Sequence, residues 1–344
     1  MRRGAFAAVL AVLAAAVGTA VLLRSHHAKP ARPPATAPSP AQHRHASPGS
    51  SPAPTRAHRG ALVLHGTGDV SLDPTYIPSL RTNGYAFAFS GMNGLFHRDD
   101  LTVVNLECPA SRIGTRVPKE FDFECDPAAL PAAEAAGIDV ANQANNHAWD
   151  YGPDALLDSR RNIEQAGLAP VGSGRDPAQA EHPTFFTIKG WRIAVVGIDE
   201  VLDPDPEEVA GPGHPGTACG HDVGCMLGEI RRAAARSDLV VVAVHWGVEL
   251  DTQPESYQVE QAKRFVDAGA DVIFGGHSHR LQPLESYKGK PIYYSLGNFV
   301  WPRLSEAGAR TAVAEVHVSP AGAIRARLLP ASIVSDGHPI LTGG

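Results

Sequence analysis

The stretch from Val240 to Leu281 constrains this chain more than any other. It reads VVVAVHWGVEL, passes through an amphipathic run and closes with DVIFGGHSHRL. Two apolar, β-branched runs therefore each stop at histidine: His245 after the first, His277 and His279 after the second. A strand that ends at a glycine-flanked histidine delivers an imidazole to the carboxyl edge of a sheet, where open α/β sheets bind ligands. Neutral imidazole is the commonest metal ligand. Three imidazoles brought to one sheet edge point to a metal site.

The same strand and helix rhythm runs through the chain from Gly60. Ala61 to His65 is expected to be a strand, followed by Gly66-Thr67-Gly68-Asp69, and Leu101 to Leu106 is a second that stops at Glu107. Pro127 to Ala136 reads as a helix, Ile138 to Ala141 as a short strand, and Gly152 to Ala166 as a helix stopped by Gly167. Phe185 to Ile188 and Trp191 to Gly197 form a hairpin turning near Lys189-Gly190. Val223 to Arg236 and Gln258 to Ala268 are helices; Leu239 to Val244 and Val272 to Phe274 are strands. The part from Leu284 to Leu329 shows strand-like runs and no convincing helix. Alternating strands and helices with β-rich additions imply a mixed α/β sandwich. The Pro- and Gly-rich stretch from Asp203 to Gly216 is either a break between subdomains or a surface loop.

The chain has 344 residues, of which 43% are hydrophobic, enough for one large domain or two small ones. A net charge of -6 argues against a nucleic-acid binder. At the N-terminus Arg2 and Arg3 precede an unbroken apolar run from Gly4 to Leu23. Its length favours a signal anchor over a cleaved signal peptide, with cleavage after Ala20 as the alternative. No cysteine follows the run, which argues against a lipoprotein anchor. Residues 25–59, rich in Pro, Ala, Ser and His, read as a disordered spacer. The expected organisation is therefore a leader over 1–24, the spacer over 25–59, a folded domain over 60–335 and a tail over 336–344. An export signal places the four cysteines in an oxidising compartment. The most local pairing is Cys108 with Cys125 and Cys219 with Cys225, the alternative being other pairings or free thiols.

Five strand ends carry polar residues in a repeated pattern. They are Gly68-Asp69, Asn105-Leu106-Glu107, Asn145-Asn146-His147, His245-Trp246-Gly247 and Gly276-His277-Ser278-His279. Each pairs a metal-competent side chain with a small or turn-forming neighbour. Asp69, Glu107, Asn146, His245, His277 and His279 make a borderline-hard ligand set suited to Mn, Fe, Zn or Mg. They are enough for two divalent ions if one carboxylate bridges. Asn105 and Asn145 are expected either to support the ligands or to serve as turn residues, and Asp150 either to orient His147 or to start the next helix. Asp199 and Glu200 follow a strand and are weaker candidates for facing the site. Trp246 is expected to be a packing residue.

This ordered set resembles the CapA family of poly-γ-glutamate capsule proteins, itself similar to the calcineurin-like metallophosphoesterases. ANQANNHAWDYG (Ala141 to Gly152) and YSLGNFV (Tyr294 to Val300) add to the likeness, which runs from about Leu62 to Pro330. The resemblance implies a four-layer α-β-β-α sandwich with the metal site at one sheet edge. It implies Asp69, Asn146, His245, His277 and His279 as ligands, Glu107 as the bridging carboxylate, and His147 as the substrate contact. One departure stands out: Ser71 occupies the place of a histidine in that superfamily's first motif.

These readings lead to an exported, membrane-tethered metal-dependent hydrolase, single-pass with its domain outside the cytoplasm, or secreted if the leader is cleaved. Its expected substrate is poly-γ-glutamate, a related envelope polymer or a phosphate ester, with polymer-synthase membrane proteins as partners. The rival is a polymer-binding assembly factor with a vestigial metal site.

Overall fold

The computed structural model describes residues 59–201 and 208–343. The expected leader and nearly all of the expected spacer lie outside them. The described residues belong to one compact unit, 56–344, and the first part of the stretch from Asp203 to Gly216 lies outside them.

In chain order the strands are Leu62–Val70 (β1), Leu101–Leu106 (β2), Val140–Asn142 (β3), Ala169–Val171 (β4), Ser173–Gly174 (β5), Thr184–Ile188 (β6), Trp191–Asp199 (β7) and Gly216–Thr217 (β8). Then come Leu239–His245 (β9), Val272–Gly276 (β10), Leu284–Tyr287 (β11), Lys290–Tyr293 (β12), Asn298–Val300 (β13), Arg310–Val318 (β14), Ile324–Ser335 (β15) and His338–Leu341 (β16). One sheet runs β16-β15-β14-β1-β2-β3-β4, with β13 also paired to β1; a second runs β11-β12-β10-β9-β7-β6; β5 and β8 pair alone. In both sheets the strands that end at polar motifs are central and parallel: β1 with β2, β2 with β3, β7 with β9, and β9 with β10. Parallel strands present their carboxyl ends on one side, which gathers the motif residues along a common edge.

Side chains alternate across each strand, and the packing follows that period. Leu62 and Leu64 of β1 and Leu101 and Val103 of β2 pack with Val195, Val241 and Phe274 of the other sheet, so the two sheets bury a shared layer. The opposite face of the first sheet (Val70, Val104, Leu106) packs on Leu80, Phe89, Leu130 and Ile163 from helical segments. The opposite face of the second (Val196, Val240, Val242, Val244) packs on Met226 and Ile230 of helix Val223–Ala234 and Phe265 of helix Ser256–Ala268. This is the mixed α/β fold expected from the alternation.

The differences are local. The first strand runs on to Val70 because its pairing with β2 and β13 continues past Gly66. The helix expected over Pro127 to Ala136 is a 3-10 turn, Pro127–Ala129, followed by a short α-helix, Leu130–Ala135, since a proline stands at the start of each. The C-terminal third holds one helical turn, Glu306–Ala309. Residues 336–344 are not a tail beyond the domain: His338–Leu341 pairs antiparallel with β15, so the sheet extends past 335. The short helices Ser79–Asn83 and Phe87–Ser90 have no counterpart among the elements expected from the sequence. Both expected disulfides, Cys108–Cys125 and Cys219–Cys225, are formed.

Candidate metal centre

The first carboxylate, Asp69, stands at the end of β1 and is fully buried. Its Oδ1 accepts a hydrogen bond from Asn105 Nδ2 at 2.9 Å, and its Oδ2 lies 3.2 Å from His279 Nδ1. Across the sheet-to-sheet gap, the backbone N–H of His277 donates to Asp69 Oδ2 at 3.3 Å. That approach depends on Gly276, where an added Cβ would lie 2.5 Å from Asp69 Oδ1. His277 and His279 adopt positive φ values of 90° and 52°. Residues other than glycine rarely sit there, and such strain gathers at ligand sites.

Glu107, just beyond β2, occupies the centre of the cluster. It is fully buried, yet neither carboxylate oxygen has a hydrogen-bond partner. His245 Nε2 lies 3.3 Å from its Oε1 and His279 Nε2 lies 4.0 Å from the same oxygen. His277 Nδ1 is also buried without a hydrogen-bond partner. Unsatisfied buried polar atoms of this kind cost roughly 1–3 kcal/mol each, and more when charged. Here they converge. Glu107, His245 and His277 offer ligand atoms within 4.8 Å of one another, and so do Asp69, Glu107 and His279. Glu107 is common to the two groups. The orphaned atoms and the carboxylate–imidazole donor set both fit a divalent metal.

The remaining residues orient these donors. Asn146 Oδ1 sits 3.0 Å from His245 Nε2, beside the Glu107–His245–His277 group. Asn105 reaches both Asp69 and His245, the latter at 3.1 Å to Nδ1. Its amide is turned by Asn142 and Asn145, each of which donates to Asn105 Oδ1 at 3.1 Å. Asn298 Oδ1 lies 2.9 Å from His279 Nδ1, which leaves Nε2 as the nitrogen nearer Glu107. Partners of this sort fix the ring orientation of metal-binding histidines.

Electrostatics set the donors' protonation. Burial pushes His245 down to about 4 and His277 down to about 2, so both are neutral donors at physiological pH. Burial acts the same way on His279, but the charges of Glu107 and Asp69 outweigh it and raise that imidazole to about 9. Burial lifts Glu107 well above the usual carboxylate range, with Asp69 adding to the effect. Asp69 is held below its ordinary value, because the bond and charge of His279 overcome burial. A bound cation would take the place of the proton on His279.

His147 lines an adjoining cavity of about 410 Å³ together with His279, Phe123 and Trp301. Its Nδ1 lies 2.8 Å from Asp150 Oδ2, so Asp150 does hold that ring. Asp150 in turn accepts from Phe123 N at 2.6 Å and pairs with Lys119 at 2.5 Å. Lys119 also donates to the Asn146 carbonyl at 2.8 Å, and the Phe123 ring packs on His147 at 4.4 Å between centroids. Lys119 and Phe123 both come from the loop closed by Cys108–Cys125. That bridge therefore anchors the segment that holds the Asn146–His147 pair.

Among the weaker candidates, Asp199 lies in register with His245 on the neighbouring strand but accepts from Thr217 Oγ1 at 3.0 Å and belongs to neither ligand group. Glu200 lines a separate cavity with His221 and Tyr257. Ser71 is buried, and its hydroxyl faces the Asp73 backbone N–H at 3.4 Å, outside both groups. Trp246 packs in the core against Phe265 and Tyr294. Lys119, Asn142 and Asn298 contribute without having been singled out by the sequence. Asn142 and Asn298 fall inside the two longer motifs, whereas nothing in the spacing of Lys119 marks it.

The segment 63–303, which holds every residue of this site, matches the family described as bacterial capsule synthesis protein PGA_cap. The chain belongs to this family. Relatives of the PGA_cap chain include the capsule biosynthesis protein CapA of Bacillus anthracis, 29% identical over 81% of this chain and 69% of that protein. The PGA biosynthesis protein CapA of Bacillus subtilis (strain 168) is 30% identical over 71% of this chain and 64% of that one. A probable polyglutamine synthesis accessory protein of Mycobacterium tuberculosis is 29% identical over 58% and 55%. This PGA_cap chain thus spans from just over half to about two thirds of the lengths of these relatives.

Proposed function

We propose that this chain is a metal-dependent hydrolase acting on poly-γ-glutamate or a related acidic envelope polymer. In this reading it is exported and tethered to the membrane by its N-terminal apolar run, working beside polymer-synthase membrane proteins. The observation that carries the chemistry is the convergence of Glu107 and His277 Nδ1, buried and unsatisfied, with Asp69, His245 and His279. The names of the Bacillus relatives support the polymer. The sandwich of two sheets between helices supports kinship with metallophosphoesterases.

Two ligand groups sharing Glu107 support two ions, with Asp69, Glu107 and His279 holding one and Glu107, Asn146, His245 and His277 the other. The donor chemistry favours Mn, Fe, Zn or Mg. When bound, such ions supply Lewis-acid polarisation and an acidified water. The protein's own part falls to His147. Asp150 fixes its Nδ1 edge at the cavity wall, in position to stabilise developing charge or to protonate a leaving group. Lys119 pairs with Asp150 and holds it in place.

The test is turnover. Metal-stripped protein reloaded with Mn should hydrolyse a γ-glutamyl amide, a phosphodiester or a phosphomonoester, and His147→Ala should lose that activity while keeping its metal. Retained polymer binding without hydrolysis on any of the three would instead make the chain an assembly factor, a reading favoured by Ser71 standing outside the ligand groups.

A further inference from the structure

Two cavities lie side by side along the same loops. The first, of about 410 Å³, contains the metal-centre edge; the second, of about 440 Å³, adjoins it. Segments 249–253, 279–283 and 304–310 contribute to the walls of both, and Arg280 lines the two in common. The second cavity holds Arg310 as well and no carboxylate. Arg280 donates one bond to the His279 carbonyl at 2.8 Å, out of five N–H donors on its guanidinium.

The placement of these arginines is built into the backbone. Gly297, in the YSLGNFV segment, has φ of 68°, and an added Cβ would meet Arg280 C at 3.2 Å and Arg310 O at 3.4 Å. The next residue, Asn298, holds His279 and donates to the Gly308 carbonyl at 3.3 Å. One short strand therefore ties a metal-site imidazole to both arginine-bearing segments. Exposed apolar side chains, Phe121, Leu250 and Leu304 at 53%, 58% and 73%, line the first cavity beside the single carboxylate of exposed Glu249, and a cluster of exposed large hydrophobic residues commonly marks a binding surface.

We propose that the Arg280–Arg310 groove is a subsite for an extended chain bearing regularly spaced carboxylates, leading away from the metal centre. A γ-linked glutamate chain alternates an α-carboxylate with an ethylene unit. Its carboxylates would pair with the planar guanidinium forks, and its methylenes would lie on the apolar rim. The inference rests on the hydrolase function for the choice of polymer, but it is read by binding, independently of turnover.

The experiment is affinity of the full-length protein for γ-linked glutamate oligomers of increasing length, with polyphosphate as the comparison polyanion. Affinity should rise with length, be weakened by salt, and be stronger for the polycarboxylate. Arg310→Gln, a change at an exposed position, should weaken long oligomers by about tenfold and flatten the length dependence; Arg310→Lys should restore part of it. Arg280→Gln should flatten it from a shorter length. Length-dependent binding that ignores both substitutions would overturn the groove and leave the hydrolase function standing. Metal-dependent turnover of a phosphate ester with no binding of any γ-glutamyl oligomer, or with tighter binding of polyphosphate, would overturn the polycarboxylate assignment.

Discussion

Strand β1 runs past two clusters of imidazole and carboxylate that treat their carboxylates differently. In the first, His65 Nδ1 lies 2.7 Å from Asp99, which also accepts from Thr102 at 2.5 Å. On the other side of that ring, Glu315 takes Arg327 at 2.6 Å and His317 at 2.7 Å. Each carboxylate there is answered by the protein. In the second cluster, four residues along the same strand, Glu107 is buried with no hydrogen bond to either oxygen. Partial burial works against Glu315, yet Arg327 and His317 hold it down to about 2, while burial drives Glu107 well above its ordinary range. Both places set carboxylates beside imidazole, but Glu107 is enclosed completely among His245, His277 and His279, whereas Glu315 meets the exposed His317 and Arg327. What sets the candidate metal centre apart is a buried carboxylate with no hydrogen-bond donor on either oxygen.

The sharpest way to break this comparison is at Glu107. Glu107→Gln should abolish metal-dependent turnover and weaken metal affinity by about 100-fold or more, because both ligand groups lose their common member. The same change should raise the melting temperature of the metal-free protein, since it removes an unsatisfied buried carboxylate worth about 1–3 kcal/mol. A fall in the metal-free melting temperature would mean that Glu107 is satisfied by the protein after all. His147→Ala comes next. It should lower turnover by about 10²–10⁴-fold with metal content intact, and loss of metal together with activity would move His147 into the ligand set. Asn105→Ala should be milder, lowering metal affinity by about 10–100-fold through the loss of orientation at Asp69 and His245. Metal titration followed by calorimetry would separate the two.

The candidate ligands could be picked out because each sits at or just beyond the end of a central strand, where residue type and a glycine or asparagine neighbour mark the chain's turn. Local pattern sufficed for Asp69, His245 and His279. It did not suffice for Lys119, which reaches Asp150 and Asn146 from a loop held by a disulfide, since nothing short-range records a contact 27 residues away. Strand and helix periodicity likewise pointed to a mixed α/β fold, and the family resemblance to two central sheets, but neither pointed to the helical turns of Ser79–Asn83 and Phe87–Ser90, too short to show a period. The edge strand His338–Leu341 reads as tail in the sequence because its four residues gain their structure from pairing with β15 rather than from their own composition.

The smallest effect tests the compensated side of the comparison. Glu315→Gln removes a carboxylate that the protein has already paired, so it should destabilise, by about 0.2–1 kcal/mol given the exposure of Arg327, and leave metal affinity unchanged. Its pH dependence has a definite sign. The folded-state value of Glu315, about 2, lies below the ordinary value of 4.5, so its contribution is complete above the unfolded value and is lost as pH falls toward 2. The difference in melting temperature between wild type and Glu315→Gln should therefore be constant at neutral pH and shrink on acidification. Glu107→Gln should show the opposite sign at neutral pH in the metal-free protein. Two glutamates buried around the same strand would then respond oppositely to the same substitution, and a common response would mean that the charge at Glu107 is balanced within the chain, leaving no electrostatic reason for a cation there.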